Sequence, residues 1–272
     1  MPKPTNVVKV CLVGACGRMG QEVVRAVAND LDVEIAVAVD RENVGRTLRD
    51  VVGPIAPDLV IGDKVGAALD AEECHVLVDF THPTSAAGHA LSALKRGVAV
   101  VVGTSGISQP EQREIAMAAE ESGTPAMIVP NFAIGAVLMM KFAAEAARWL
   151  PNAEIIELHH DAKADAPSGT ATQTAQVIAD ARLREPEKHR DILKVEGARG
   201  GDVRGVRIHS IRLPGLLAHQ EVLFGSRGET LTIRHDSTDR TGFMDGVKLC
   251  CRRVWSLSGL TVGLDALLRD VE

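Results

Sequence analysis

Tyrosine is missing from this sequence, and aromatic residues of all kinds make up only 3% of it. Single-stranded nucleic acid is gripped by stacking bases on aromatic rings, and there is little here to stack on. Excess positive charge is lacking as well: 30 lysines and arginines face 36 aspartates and glutamates, a formal net charge of −6. Phosphate backbones are held by a basic field, so nucleic acid is not an expected partner. No apolar run approaches the roughly 20 residues that cross a bilayer, and MPKPTNVVKV lacks the apolar stretch of a signal peptide, so the expectation is a cytoplasmic protein with no membrane partner. The five cysteines, Cys11, Cys16, Cys74, Cys250 and Cys251, form no CxxC pair and no even framework. They fit buried thiols of a reducing compartment and receive no role. The nine histidines are scattered, and the adjacent pair has no third ligand at a suitable spacing, so no metal is expected.

What is present is enough apolar chain, 46% of 272 residues, for one large or two modest domains. Residues 7–13, VVKVCLV, form a β-branched run that leads straight into GACGRMG, in which Gly14, Gly17 and Gly20 recur every third residue. The following QEVVRAVAND places Val23, Val24 and Val27 on one helical face, and VEIAVAVD, Val33 to Asp40, reads as a second buried strand. This is a βαβ unit. Glycines at a strand-to-helix turn let backbone amides approach a pyrophosphate at the positive end of the helix. Asp40, about twenty residues past the turn, stands where a carboxylate accepts from ribose hydroxyls. A plain packing turn is the alternative; strand before, helix after and acid in place favour dinucleotide binding. Arg41 either holds the 2′-phosphate of NADPH or is a solvated arginine. Further runs, HVLVDF, VAVVVG and PAMIVP, continue a doubly wound pattern, and their carboxyl ends make Thr81, Gly103 to Ser105 and Pro130 to Ala133 cofactor-facing candidates beside a reading as ordinary loops.

After Asn131 the pattern changes. IGAVLMMKFAAEAARWL reads as a long scaffold helix, and HQEVLFG and ETLTIRHDS as longer strands joined at SRGE, the marks of a second, α+β domain. The charged, glycine-rich stretch from Glu185 to Gly205 shows no period and is expected to be a surface excursion or a lid. Within ELHHDAKADAPSGTA, residues 157–171, the preceding AEIIEL alternates as a strand, so His159 and His160 are expected to point to opposite sides as it ends. One imidazole can exchange a proton near neutral pH, Lys163 offers a point charge, and the other imidazole can bind an anion. In PSGT, Gly169 admits a ligand to the backbone, and Ser168 and Thr170 at the helix start complete an anion cradle suited to carboxylates. A serine cap beside two surface histidines is the bland alternative.

The stretch EIIELHHDAKADAPSGTA, with GACGRMG, DFTHP at 79–83, VVGTSG at 101–106 and PNFAIG at 130–135, resembles the dihydrodipicolinate reductase (4-hydroxy-tetrahydrodipicolinate reductase) family over nearly the whole chain. The resemblance implies reduction, by NADH or NADPH, of the cyclic dicarboxylate imine of the diaminopimelate route to lysine. Gly14, Ala15, Cys16, Gly17, Arg18 and Met19 then meet the pyrophosphate, Asp40 the ribose and Arg41 the 2′-phosphate of NADPH. Gly103, Thr104, Ser105, Pro130, Asn131, Phe132 and Ala133 line the nicotinamide side. His159 becomes the proton donor or acceptor and Lys163 a second proton donor, while His160, Gly169 and Thr170 contact the dicarboxylate. Three positions depart from the usual pattern: Cys16 where Ala or Gly is common, Asp40 where some members carry Glu, and Ser105 in place of the second threonine of GTTG. The implied architecture is α/β: a Rossmann-like dinucleotide domain, residues 1–133, completed by residues 242–272, and an α+β substrate and oligomerisation domain with a mixed sheet, residues 134–241, that joins four copies into a homotetramer. A different imine or carbonyl oxidoreductase of the aspartate dehydrogenase type, or a non-catalytic dinucleotide sensor, are the competing readings.

Overall fold

The computed structural model describes residues 7–186 and 192–268, and its chain divides into two units, Met1–Phe132 with Phe243–Glu272, and Ala133–Gly242. In the first unit β1 (Val8–Val13) passes through the glycine turn into α1 (Arg18–Val27), followed by β2 (Val33–Val39), α2 (Leu48–Val52), β3 (Ile61–Gly62) and α3 (Val65–Ala71). The second half of the sheet is laid down by β4 (Val76–Asp79), α4 (Pro83–Leu94), β5 (Ala99–Val102), α5 (Gln109–Ser122) and β6 (Ala126–Ile128). After the second unit the chain returns with α8 (Met244–Arg253) and β12 (Leu260–Val262). The seven strands run parallel in the order β12-β6-β5-β4-β1-β2-β3. The order reverses between β1 and β4, and there the carboxyl ends of a doubly wound sheet open a crevice.

Local chemistry explains these elements. Every residue of β4 and β5 is buried, as strands covered by helices on both faces require. α1 buries Val23, Val24 and Val27 and turns Glu22 and Arg25, an ion pair at 2.7 Å, outward. α5 starts on a capping box, Ser108 with Glu111, and stops at Gly123 in the left-handed region.

The second unit comprises α6 (Ile134–Ala147), β7 (Asn152–His159), α7 (Gly169–Ala181), β8 (Gly201–Val203), β9 (Val206–Arg212), β10 (Ala218–Ser226) and β11 (Glu229–Ser237). Its sheet runs β11-β10-β7-β9-β8 and is mixed: β7 and β9 are parallel, and the other neighbours are antiparallel. Small residues of α6 and α7, Ala143, Ala147, Ala171 and Ala175, share a core with Ile155, Ile208, Val222 and Phe224 of the sheet. Alanine lets these helices lie close to the strands, so α6 serves as scaffold.

Two expectations change. Ala133 and Gly242, assigned above to the first domain, fall in the second unit: Ala133 caps α6, its carbonyl accepting from the Ala136 and Val137 amides, and Gly242 lies in the turn Arg240–Phe243. The excursion from Glu185 to Gly205 is not all loop, because Gly201–Val203 pairs antiparallel with β9 as an edge strand. A strand of three residues holds too little alternation to be read from sequence. Residues 187–191 of that excursion lie outside the described residues. Among the described residues no helix is long and apolar enough to cross a membrane.

Candidate active site

The glycine turn of the first unit is built around close backbone approach. Gly14 has φ 83°, and a Cβ there would stand 2.6 Å from the Phe80 carbonyl at the end of β4, so only glycine fits without moving the backbone. Its amide donates to Val39 O at 2.9 Å, and the Cys16 amide donates to Asp40 Oδ2 at 2.8 Å. Asp40 Oδ1 accepts from the Glu42 amide at 3.0 Å, so the acid and the turn are locked together. A carboxylate has about four lone-pair positions, which leaves acceptor capacity for a ligand. Among the described residues no side chain caps the first turn of α1 after Gly17, and its leading amides are available to an anion. Gly14, Gly17, Asp40 and the exposed Arg41 line a cleft of about 790 Å³. A bare helix start, an acid with spare acceptors and a guanidinium at the rim fit the pyrophosphate and ribose of a dinucleotide.

The residues predicted alongside them take different places. Ala15 is buried beneath the turn, Cys16 and Met19 are partly exposed, and Arg18 is exposed at the helix start. Cys16 is therefore not a buried thiol, unlike the other four cysteines. Gly103, Thr104, Ser105, Pro130, Asn131 and Phe132 follow the carboxyl ends of β5 and β6, whereas the cleft itself is walled by Thr81, His82, Thr84, Ser85 and His89. Phe132 packs on Phe80, a wall residue, with ring centroids 5.4 Å apart. Thr104 turns inward: its hydroxyl donates to Asp79 Oδ1 at 2.7 Å, which takes that hydroxyl away from a ligand.

Asp79 is a residue that sequence reasoning passed over. It is fully buried at the end of β4 and also accepts from the Thr81 amide at 2.9 Å and hydroxyl at 2.8 Å, and pairs with His89 Nδ1 at 2.7 Å. Burial alone would push its carboxyl up; the bonds from His89, Thr104 and Thr81 outweigh burial and hold it below the ordinary aspartate value. One carboxylate thus fixes the loops after β4 and β5. An acid closing an otherwise apolar strand was the available signal.

In the second unit the inward row of β7, Ala153, Ile155 and Glu157, leads to His159 on the same side. Glu157 is completely buried and bonds His159 Nδ1. Arg212, at the end of β9, grips the same carboxylate with both terminal nitrogens, at 2.9 and 2.8 Å. The guanidinium also donates to the carbonyls of Lys163, Asp165 and Ile211, at 3.3, 2.7 and 2.8 Å. All five of its N–H groups are used, so Arg212 is a clamp on the loop after β7 rather than a receptor for a ligand anion. Burial pushes the His159 ring below its ordinary value, and Lys163 and Arg212 add to this against the opposing pull of Glu157.

The remaining predicted residues sit on the loop that Arg212 holds. His160 is exposed just past β7. Lys163 Nζ donates to both oxygens of Asp165, at 2.7 and 2.9 Å, so a carboxylate already satisfies the ammonium. Ser168 is buried: its hydroxyl accepts from the Ala171 amide at 3.1 Å and its own amide donates to Glu157 at 3.3 Å. Its hydroxyl is a helix cap, and a ligand would meet the backbone of Gly169 and Thr170 instead. Gly169 is exposed, and a Cβ built there meets nothing within 4 Å, so neither φ nor crowding inside the chain demands glycine. The space beside Gly169 at the start of α7 has room for an anion. Among the described residues no cluster of three or more His, Cys, Asp or Glu side chains is arranged to hold a metal.

The chain matches two family models end to end: Dihydrodipicolinate reductase, N-terminus, over residues 8–132, and Dihydrodipicolinate reductase, C-terminus, over residues 135–268. The 4-hydroxy-tetrahydrodipicolinate reductase of Syntrophomonas wolfei is 48% identical, covering 96% of this chain and 98% of its own. Its counterpart from Lysinibacillus sphaericus is 45% identical, with 96% and 99% covered. Among solved structures, dipicolinate-bound dihydrodipicolinate reductase from Paenisporosarcina sp. TG-14 aligns with a TM-score of 0.84 at 38% identity, covering 96% of this chain and 99% of that one. An amine dehydrogenase from Mycobacterium smegmatis, TM-score 0.65 at 13% identity over 95% of each chain, shares the fold alone.

Proposed function

The chain belongs to the dihydrodipicolinate reductase family and is an oxidoreductase that uses a nicotinamide cofactor, and we propose on that premise how its residues divide the reaction. The substrate is the cyclic dicarboxylate imine 4-hydroxy-tetrahydrodipicolinate, an intermediate of diaminopimelate and lysine biosynthesis. It takes up one hydride and one proton and loses one water to give tetrahydrodipicolinate. When bound, NADH or NADPH supplies the hydride. Gly14 and Gly17 let the uncapped start of α1 receive the pyrophosphate, and Asp40 accepts from the ribose. Arg41 is exposed at the cleft and pairs with the 2′-phosphate of NADPH, so both cofactors serve.

In the second unit His159 delivers the proton, and Lys163 exchanges Asp165 for a substrate carboxylate. The amides of Gly169 and Thr170 at the start of α7, with His160, hold the second carboxylate. The observation that carries this reading is the coupling of a carboxylate-held imidazole at the end of β7 to the start of α7 through Glu157, which bonds both His159 and the Ser168 amide. We further assign the chain as a homotetramer. The sheet face turned away from α6 and α7 carries Ile156, Leu158, Ile211 and Leu223 partly exposed, as a surface covered by another copy would. The substrate reading is tested with pyridine-2,6-dicarboxylate, a flat mimic of the ring. It should inhibit competitively with the imine, and calorimetry should show it and NADH each tightening the other, as linkage requires. Non-competitive inhibition, or affinities independent of each other, would count against it.

A further inference from the structure

Glu157 keeps a carboxylate out of water in the second unit: its side chain is 0% exposed, with His159 and Arg212 beside it at 15% and 18%. It receives bonds from His159 Nδ1, from both terminal nitrogens of Arg212 and from the Ser168 amide. A carboxylate only accepts, so the proton between it and a neutral imidazole belongs to Nδ1, and Nε2 keeps its lone pair. Nε2 makes no hydrogen bond among the described residues. We propose that Glu157 is the positioning residue of the reduction: it fixes the His159 ring with Nε2 as the proton-carrying nitrogen, and through the Ser168 amide it ties the anion-binding start of α7 to that ring.

The inference rests on the reaction assigned above and deepens it. In the step, the Nε2–H bond of the imidazolium breaks, its electron pair stays on the ring, and its proton goes to the substrate. The ring returns to the neutral form with Nδ1–H on Glu157 and is recharged from solvent. Three charged groups face the ring: Glu157 from its own strand, Lys163 from the loop and Arg212 from β9. Both cations oppose the imidazolium, and Glu157, through its hydrogen bond and its charge, supports it. Without that support the ring would charge only at lower pH.

The test uses the full-length protein labelled with 15N. Ring correlation spectra report the tautomer and titration midpoint of His159, identified by its loss in His159→Asn. Expected are the Nδ1–H tautomer and a midpoint below 6.5 in the unsubstituted protein. In Glu157→Gln the midpoint should move to lower pH, and the limb of kcat against pH should move with it, while the cofactor KM stays within about twofold. Glu157→Asp should restore part of the shift. An Nε2–H tautomer in the unsubstituted protein refutes the proposal even if Glu157→Gln fails to fold. An unmoved midpoint and limb in a folded Glu157→Gln of reduced kcat would make Glu157 merely structural and equally refute it. No turnover by the unsubstituted protein refutes the assigned reaction itself, and the tautomer distinguishes that failure from this one.

Discussion

Replacing Arg212 by methionine keeps much of the side-chain length but withdraws two charge-assisted bonds from a carboxylate that has no solvent to replace them. Glu157 would keep His159, the Ser168 amide and the Ser210 side chain, none of which carries the fixed charge of the guanidinium. Removing one partner of a buried ion pair costs about 3–5 kcal/mol, because the other charge is stranded. The partly exposed guanidinium points to the lower end, about 3 kcal/mol, equivalent to roughly 6–12 °C in the unfolding midpoint of a chain this size. The stranded carboxylate should respond by taking up a proton, since burial raises its pKa once the arginine is gone. The penalty therefore shrinks as pH falls from 8 towards 5. The double substitution Glu157→Met with Arg212→Met removes both charges and should be more stable than Arg212→Met alone, although inactive. Urea unfolding followed by circular dichroism, over a pH series on all four proteins, measures the cycle. Additivity within about 0.5 kcal/mol would refute the claim that a stranded Glu157 carries the cost.

Gly169→Val adds bulk where the chain itself has open space, so stability should stay within about 1 kcal/mol while pyridine dicarboxylate affinity drops at least about tenfold and NADH binding is kept; calorimetry on the folded variant reads this, and unchanged dicarboxylate affinity would remove the anion from the start of α7. Arg41→Ala should weaken NADPH selectively, from parity within about tenfold to a clear NADH preference, and an equal loss for both cofactors would mean that Arg41 does not read the phosphate. His159 and His235 both have lowered pKa values, chiefly through burial, so each favours the folded state least in acid. Their contribution is full above 6.5, the ordinary value, and declines as pH falls from there towards their lowered folded values. The carboxylates Asp79 and Glu157, also lowered, add a second decline below their ordinary values of 3.8 and 4.5. Thermal scans should show two acid-side steps, and a midpoint flat between pH 7 and 5 would contradict the burial of the histidines.

What could be read from sequence was what the chain states locally. The run VKVCLV, the GACGRMG turn and Asp40 fall within a few dozen residues, and their periods and spacing carry the βαβ unit without reference to anything distant. ELHHDAKADAPSGTA placed His159, Lys163 and the start of α7 on one segment for the same reason. The roles of individual atoms were less accessible. Ser168 reads equally as ligand contact and as cap, and only its bond to the Ala171 amide decides for the cap. Glu157 was within reach, as an acid in the inward row of Ala153 and Ile155 two residues before His159. Arg212 was not: it lies 55 residues from Glu157, brought there by the parallel register of β7 on β9, which no local pattern announces. Asp79 gathers His89 and Thr104, 10 and 25 residues away, and Thr104 thereby exchanges an expected ligand contact for a buried one.

The central claim is that this chain reduces a cyclic dicarboxylate imine with a nicotinamide hydride and a proton from His159. Steady-state turnover of freshly made 4-hydroxy-tetrahydrodipicolinate, with NADH and with NADPH, by the unsubstituted protein and by His159→Ala and Lys163→Ala, tests it most directly. The account predicts turnover with both cofactors and a kcat lower by about 10² to 10⁴ in His159→Ala, with a substantial loss in Lys163→Ala and cofactor affinity nearly intact in both. Near-normal kcat in both variants, or no turnover of this substrate by the unsubstituted protein, would contradict it.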